Sequence, residues 1–306
     1  MINSNLVYTN DEMKLMKEKK HLGMKRKQRI SNTIIYIILI LMSVIWLFPF
    51  FCIVLESFRC ESTWQVGYII PKQWGFDNYI KLFTKTDAID FKRWFLNTFI
   101  IGLFCAIIQT IMVLSVSYAL SRLRFKGRKL FMNMVLILGM FPGFLTLIIL
   151  YKVLSWLGLT GTNAVPGLIL VYTASSGMGY YISKGFFDTI PRSLDEAARV
   201  DGATRFQVFL KVIMPLAKPI VIYTILTAFM APWGDFMFAK YIVHNSSEGM
   251  NVAVGLQKII STPSSLSSNY TTFCAGGVVV SIPITILFMC LQKYYVEGVT
   301  GGAVKG

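Results

Sequence analysis

The sequence predicts an all-α integral membrane protein of six transmembrane helices, from its composition, the length of its apolar runs and the placement of its basic residues. Of 306 residues, 55% are apolar and only 15% charged, against about 25% charged in an ordinary soluble domain. The mean hydropathy of +0.59 is concentrated in apolar runs separated by short polar, mostly basic stretches, which excludes a water-soluble globule. The runs cover residues 33–55, 97–120, 130–151, 164–182, 219–243 and 272–291. Each reaches about 20 residues, enough at about 1.5 Å of rise per residue to cross a hydrocarbon core of about 30 Å. Lipid offers backbone amides no partner, so continuous runs without strand-type alternation are expected to satisfy them internally, as helices.

The basic residues set the orientation. With the N-terminus inside, 21 of the 30 Lys and Arg fall on one side of the membrane: in the first 32 residues, between the second and third runs, between the fourth and fifth, and after the sixth. The positive-inside bias therefore places both termini in the cytoplasm. The expected organisation is a basic cytoplasmic tail (1–32), a membrane domain (33–292) and a cytoplasmic C-terminal tail (293–306). The tail is read as a solvated topogenic segment lying near anionic membrane lipids. The formal charge of +15 does not indicate nucleic acid, because the cations sit in the tail and short loops, not interleaved with aromatics on a soluble face.

Prolines at 49, 142, 166, 232 and 283 place one in each of five spans, where each removes a backbone hydrogen bond and invites a kink. Small residues crowd Gly139–Gly143, Ala174–Gly179 and Ala275–Gly277, permitting close helix contact. The five cysteines contain no C-x-x-C pair and read as small hydrophobes. The first thirty residues hold no apolar h-region, so no cleavable signal peptide is expected. Two histidines, His21 and His244, leave no material for a metal site or a His-based triad, and no phosphate-binding G-x-x-x-x-G-K-[ST] loop is present. The chain is not expected to be an enzyme or to hydrolyse ATP. Neither an arginine array nor a T-V-G-Y-G filter argues for an ion channel.

The most informative segment joins the fourth and fifth runs. Ser193 followed by Glu196, and Thr204 followed by Gln207, both fit the S/T-x-x-E/Q capping box that opens a helix. Gly202 between them permits the left-handed turn that closes the first helix, and Pro215 is expected to end the second. A rigid cytoplasmic knuckle results, with Ala197 and Ala198 forming a small patch among the charges of Glu196, Arg199 and Asp201.

This segment resembles the EAA motif of the membrane subunits of bacterial ABC importers, with Glu196, Ala197, Ala198, Gly202 and Pro215 at the motif positions and Asp201 before the glycine. The C-terminus from Gln292 is similar to the ending of the smaller, MalG-like permeases of maltose-type sugar importers. Trp233-Gly234-Asp235-Phe236 is similar to their W-N-[DE]-[FY] segment, with Gly234 departing from the usual Asn. The stretch with Trp74, Phe76, Asn78 and Tyr79 resembles their W-x-x-x-N-Y run. The resemblance implies the type I ABC importer permease fold, with a core module at about 93–292 and a coupling helix that docks on an ATPase.

It also implies a multi-pass bacterial inner or plasma membrane location. The implied function is carbohydrate import, of maltose, maltodextrin or a related oligosaccharide, the chain forming half of an alternating-access pathway. The partners are a second, MalF-like permease, two ABC ATPase subunits and an extracellular sugar-binding protein. No cofactor belongs to the chain itself; ATP and Mg are bound by the ATPases. The competing readings are an ABC permease for another solute, and an ion-driven carrier or channel. Asp235 reads as a structural hydrogen-bonding group or as a pairing group toward the partner permease, ahead of ligand contact, and the aromatics Tyr172, Tyr180, Tyr181, Trp233 and Phe236 are not assigned to substrate.

Overall fold

The computed structural model describes residues 10–61, 67–84, 86, 89–140, 143–244 and 246–303, and these are helical with no strand among them. The chain divides into two compact units, Met1–Val54 and Leu55–Gly306. The first consists largely of helix α1 (Asn10–Ser57), which continues into the second. Within the first unit, the apolar side chains from Ile30 to Phe51 are exposed, as expected of a helix whose solvent is lipid or another subunit.

The second unit is built around α3 (Phe91–Arg122), which packs against α6 (Ala164–Ala174), α7 (Gly177–Thr189), α11 (Lys218–Gly234) and α13 (Val252–Ile259). Helix α14 (Pro263–Ala303) packs on α11, α13 and the short α2 (Asp77–Phe83). One buried cluster joins Phe91, Trp94 and Ile101 of α3 to Trp233, Val252 and Ile259. Gly255 makes that approach possible, since a Cβ there would lie 2.1 Å from the Trp94 ring. A second cluster, of Leu114, Phe187, Ile190, Val208, Ile213, Ala217 and Ile220, lies at the opposite end of α3.

Three predicted runs coincide with continuous helices: residues 27–57, 91–122 and 263–293 are each long and apolar enough to cross a membrane. The other three are divided. Residues 130–151 fall on α4 (Arg128–Gly139) and α5 (Gly143–Trp156), and 164–182 fall on α6 and α7. The run 219–243 is not one helix, because α11 ends at Gly234 and α12 (Met237–Val243) starts anew. The end of α11 is tolerated because Asn251 Nδ2 donates to the carbonyls of Pro232 (3.0 Å) and Asp235 (2.7 Å), which the helix leaves open.

Counting each sharply bent pair as one span raises the number of candidate spans to five. The first pair is 145–156 with 161–174, bent by 106°. The second is 205–216 with 218–234, bent by 83°.

The prolines take different places in these elements, and Pro232 stands two residues before the end of α11. Pro49 and Pro283 lie inside the continuous α1 and α14. Pro166 is the third residue of α6, where the missing N–H has no intrahelical acceptor to lose. Pro142 lies outside the described residues.

Candidate coupling site

Between α7 and α11 the chain folds as a helical knuckle. Helix α8 (Arg192–Val200) is followed by a tight turn and then by α9 (Arg205–Gln207), a π-helical stretch (Val208–Ile213) and α10 (Met214–Leu216). Gly202 has φ +83°. The Gly202 N–H reaches the Arg199 carbonyl at 3.1 Å and the Ala203 N–H reaches the Ala198 carbonyl at 3.0 Å. Together these are the paired bonds of a Schellman motif, which satisfy carbonyls that the helix end would leave open. Thr204 opens the next helix with both bonds of the predicted capping box: its N–H donates to Gln207 Oε1 at 2.8 Å, and its Oγ1 accepts from the Gln207 N–H at 3.3 Å.

Two local expectations are corrected. Ser193 does not cap α8; Pro191 holds the N-cap position without a side-chain bond, and Ser193 lies within the first turn. Pro fits a position just outside a helix because it needs no donor, and its own φ of −57° leads into the turn. Pro215 does not end the second helix. The missing N–H and the ring are accommodated beside the π-helical turn, and the direction changes two residues later, at Ala217. The Ala217 N–H still bonds the carbonyls of Ile213 (2.9 Å) and Met214 (3.1 Å), so the bend is held by hydrogen bonds.

The knuckle is fastened to the body from below and from the side. Val208, Ile213 and Ala217 bury themselves with Phe187, Ile190 and Leu114, and Ala198 packs against that cluster. Arg122, in the last turn of α3, pairs with Asp195 of α8 at 3.1 Å and donates to the Ile190 carbonyl at 2.8 Å. Arg192 donates to the Ser121 carbonyl at 3.3 Å. Burial pushes the Asp195 carboxyl above the usual carboxylate range, with Arg122 and Arg192 opposing the shift. The ion pair is therefore a desolvated one, whose breakage would strand the Arg122 charge.

What remains uncovered is an apolar face. Val200 is 88% and Phe206 69% exposed, and Ala197 and Gly202 beside them are also exposed. Of the predicted coupling residues, Glu196, Ala197, Asp201 and Gly202 thus lie at the open surface. Ala198 is half-buried, and Pro215 is exposed. Glu196, one turn before Val200, lines a cleft with Arg199 and Arg205. Sequence reasoning missed Arg122 and Asp195 as the fastening.

A family model described as the binding-protein-dependent transport system inner membrane component matches residues 111–301, which include the whole knuckle. The chain belongs to that family. Among its relatives is the galactooligosaccharides transport system permease protein GanQ of Bacillus subtilis, 35% identical over 92% of this chain and 99% of that protein. Another is the maltodextrin transport system permease protein MalD of Streptococcus pneumoniae, 34% identical over 93% of this chain and 99% of that one. The fold is similar to that of a chain in a bacterial ABC transporter involved in import of the acidic polysaccharide alginate. The TM-score is 0.73 at 24% identity, covering 88% of this chain and 98% of that one. The protein is thus a membrane transport component and not an enzyme.

Elsewhere in this permease, the other motif residues take structural places. Asp235 accepts the Tyr172 hydroxyl with one carboxylate oxygen and the Phe238 N–H with the other, the latter at 3.1 Å. Asn251, which sequence reasoning passed over, caps α13 through Val254 N–H (3.0 Å) while holding the end of α11. Asn78 donates to the carbonyls of Ser57 (3.1 Å) and Arg59 (2.7 Å) and accepts from Thr271 at 2.7 Å, so the W-x-x-x-N-Y run ties the loop before α2 to α14. Of the C-terminal motif, side chains from 294 onward lie outside the described residues. Among the described residues no cluster of His, Cys, Asp or Glu could hold a metal.

Proposed function

We propose that the protein is one permease subunit of an ATP-driven oligosaccharide importer, and that the knuckle is its coupling element. The observation that carries this reading is the exposed Ala197–Val200–Phe206 face on a helix–turn–helix held by a Schellman turn, a capping box and the Arg122–Asp195 pair. A rigid apolar surface rimmed by charge suits a protein partner that must transmit force.

In this reading two ABC ATPases close beneath the knuckle and a second, MalF-like permease completes the pathway. An extracellular sugar-binding protein delivers the substrate. Six crossings follow if α4–α5, α6–α7 and α11 each span the membrane along with α1, α3 and α14, with both termini cytoplasmic. Relatives named for galactooligosaccharide and for maltodextrin transport support an oligosaccharide cargo broader than the maltose type alone.

The test is uptake of labelled oligosaccharides, galacto- and maltodextrin-type in parallel, by proteoliposomes containing the full complex with ATP inside. ATP-dependent uptake of either supports the reading. Purification of the permease without ATPases, together with uptake driven by an ion gradient, would overturn it.

A further inference from the structure

A cleft of about 380 Å³ opens between the last turn of α3 and the inner side of the knuckle. Arg122 and Arg124 reach it from the end of α3, Arg192 and Arg199 from α8, and Arg205 from α9, while Asp195 and Glu196 are the acidic groups in its wall. Two carboxylates cannot neutralise five guanidiniums. Arg122 is engaged by Asp195 and the Ile190 carbonyl, and Arg192 donates to the Ser121 carbonyl. Among the described residues, the side chains of Arg124, Arg199 and Arg205 make neither a hydrogen bond nor an ion pair, so three guanidinium forks line the cleft with unspent donors.

The geometry points to a phosphate group as the occupant: we propose that this cleft binds the phosphate of an anionic lipid headgroup or of a free phosphorylated solute. Guanidinium forks match the oxygens of phosphate in pairs, and an anion there offsets the mutual repulsion of the arginines. The depth suits a headgroup, because the apolar run carried by α3 ends at Leu120, Arg122 follows within about 3 Å of rise, and Arg124 comes just past the helix end. Arg192, Asp195, Glu196 and Arg199 recur at helical spacing along the cleft side of α8, and the exposed apolar residues Ala197 and Val200 are not part of the cleft's lining. The cleft borders the surface assigned to coupling and shares Glu196 with it, and its occupant would tie α3 to α8 and α9.

The experiment uses the full chain purified in detergent. One arm incubates it with equal phosphatidylglycerol and phosphatidylcholine and counts retained lipids by native mass spectrometry. The other titrates lipid-stripped protein calorimetrically with inorganic phosphate. Arg124→Gln/Arg205→Gln is compared with Lys211→Gln/Lys218→Gln, which removes equal charge outside the cleft.

Retention of phosphatidylglycerol over phosphatidylcholine, weakened about tenfold or more by the arginine pair only, assigns a headgroup. Phosphate binding to stripped protein with the same dependence on the arginines assigns a soluble source. Wild-type protein that neither prefers phosphatidylglycerol nor binds phosphate overturns the proposal whether or not the variants fold. So does equal loss in both variants.

Discussion

Gly202 sits in the left-handed region with open space where a Cβ would stand, so a side chain there meets backbone strain and not a collision. Gly202→Ala is expected to cost about 1 kcal/mol and Gly202→Asn less, since Asn tolerates this conformation. In the assembled transporter, Gly202→Ala should raise ATP hydrolysed per sugar imported, with Gly202→Asn closer to wild type; paired ATPase and uptake assays check the order. The Arg122–Asp195 pair makes a different demand. Asp195→Ala strands a buried cation and is expected to destabilise the knuckle by about 3 kcal/mol, read as faster hydrogen exchange over 192–216. Arg122→Met with Asp195→Leu should recover most of that loss, and strictly additive effects of the two sites would refute the pairing. Gly202 and the Thr204–Gln207 box were legible because each is completed within a few residues. Arg122 was not, because nothing near it in sequence announces a partner on α8.

Elements behaved differently according to what satisfied their ends. The three uninterrupted helices were readable as apolar length alone, whereas the end of the fifth run was hidden because hydropathy continues through Gly234 into α12 while the backbone does not. What stops α11 is Asn251, a polar residue well beyond the run. Asn251→Ala removes the α13 cap and opens the carbonyls of Pro232 and Asp235. It should cost about 2–4 kcal/mol in total, measured as a lowered thermal midpoint of the detergent-solubilised chain.

The loop before α2 carries a pH dependence. Glu61 accepts the N–H groups of Lys72 (2.8 Å) and Gln73 (2.9 Å). Desolvation would raise its pKa, but these bonds and nearby Arg59 outweigh it and hold the carboxyl below its usual range. A depressed folded value means its contribution is present above the ordinary Glu value of about 4.3 and lost as pH falls through the folded one. Proteolysis of residues 67–75 should accelerate across that acid window, and Glu61→Gln should flatten the response.

At the scale of the molecule, two buried clusters at opposite ends of α3 divide the labour. One braces the side containing α2 and α13, and the other carries the knuckle. Composition and basic-residue placement foretold the helical membrane class, but not this division, which depends on contacts between segments far apart in sequence. Inserting two glycines after Leu216 should leave ATPase capture intact and abolish most uptake; undiminished uptake would show that α10 and α11 need not move together. The reason is the 83° bend at Ala217, hydrogen-bonded on its inner side. Under the proposed coupling role, a joint of that kind would work as a bell crank: a sideways shove on the knuckle would re-emerge as a swing of α11.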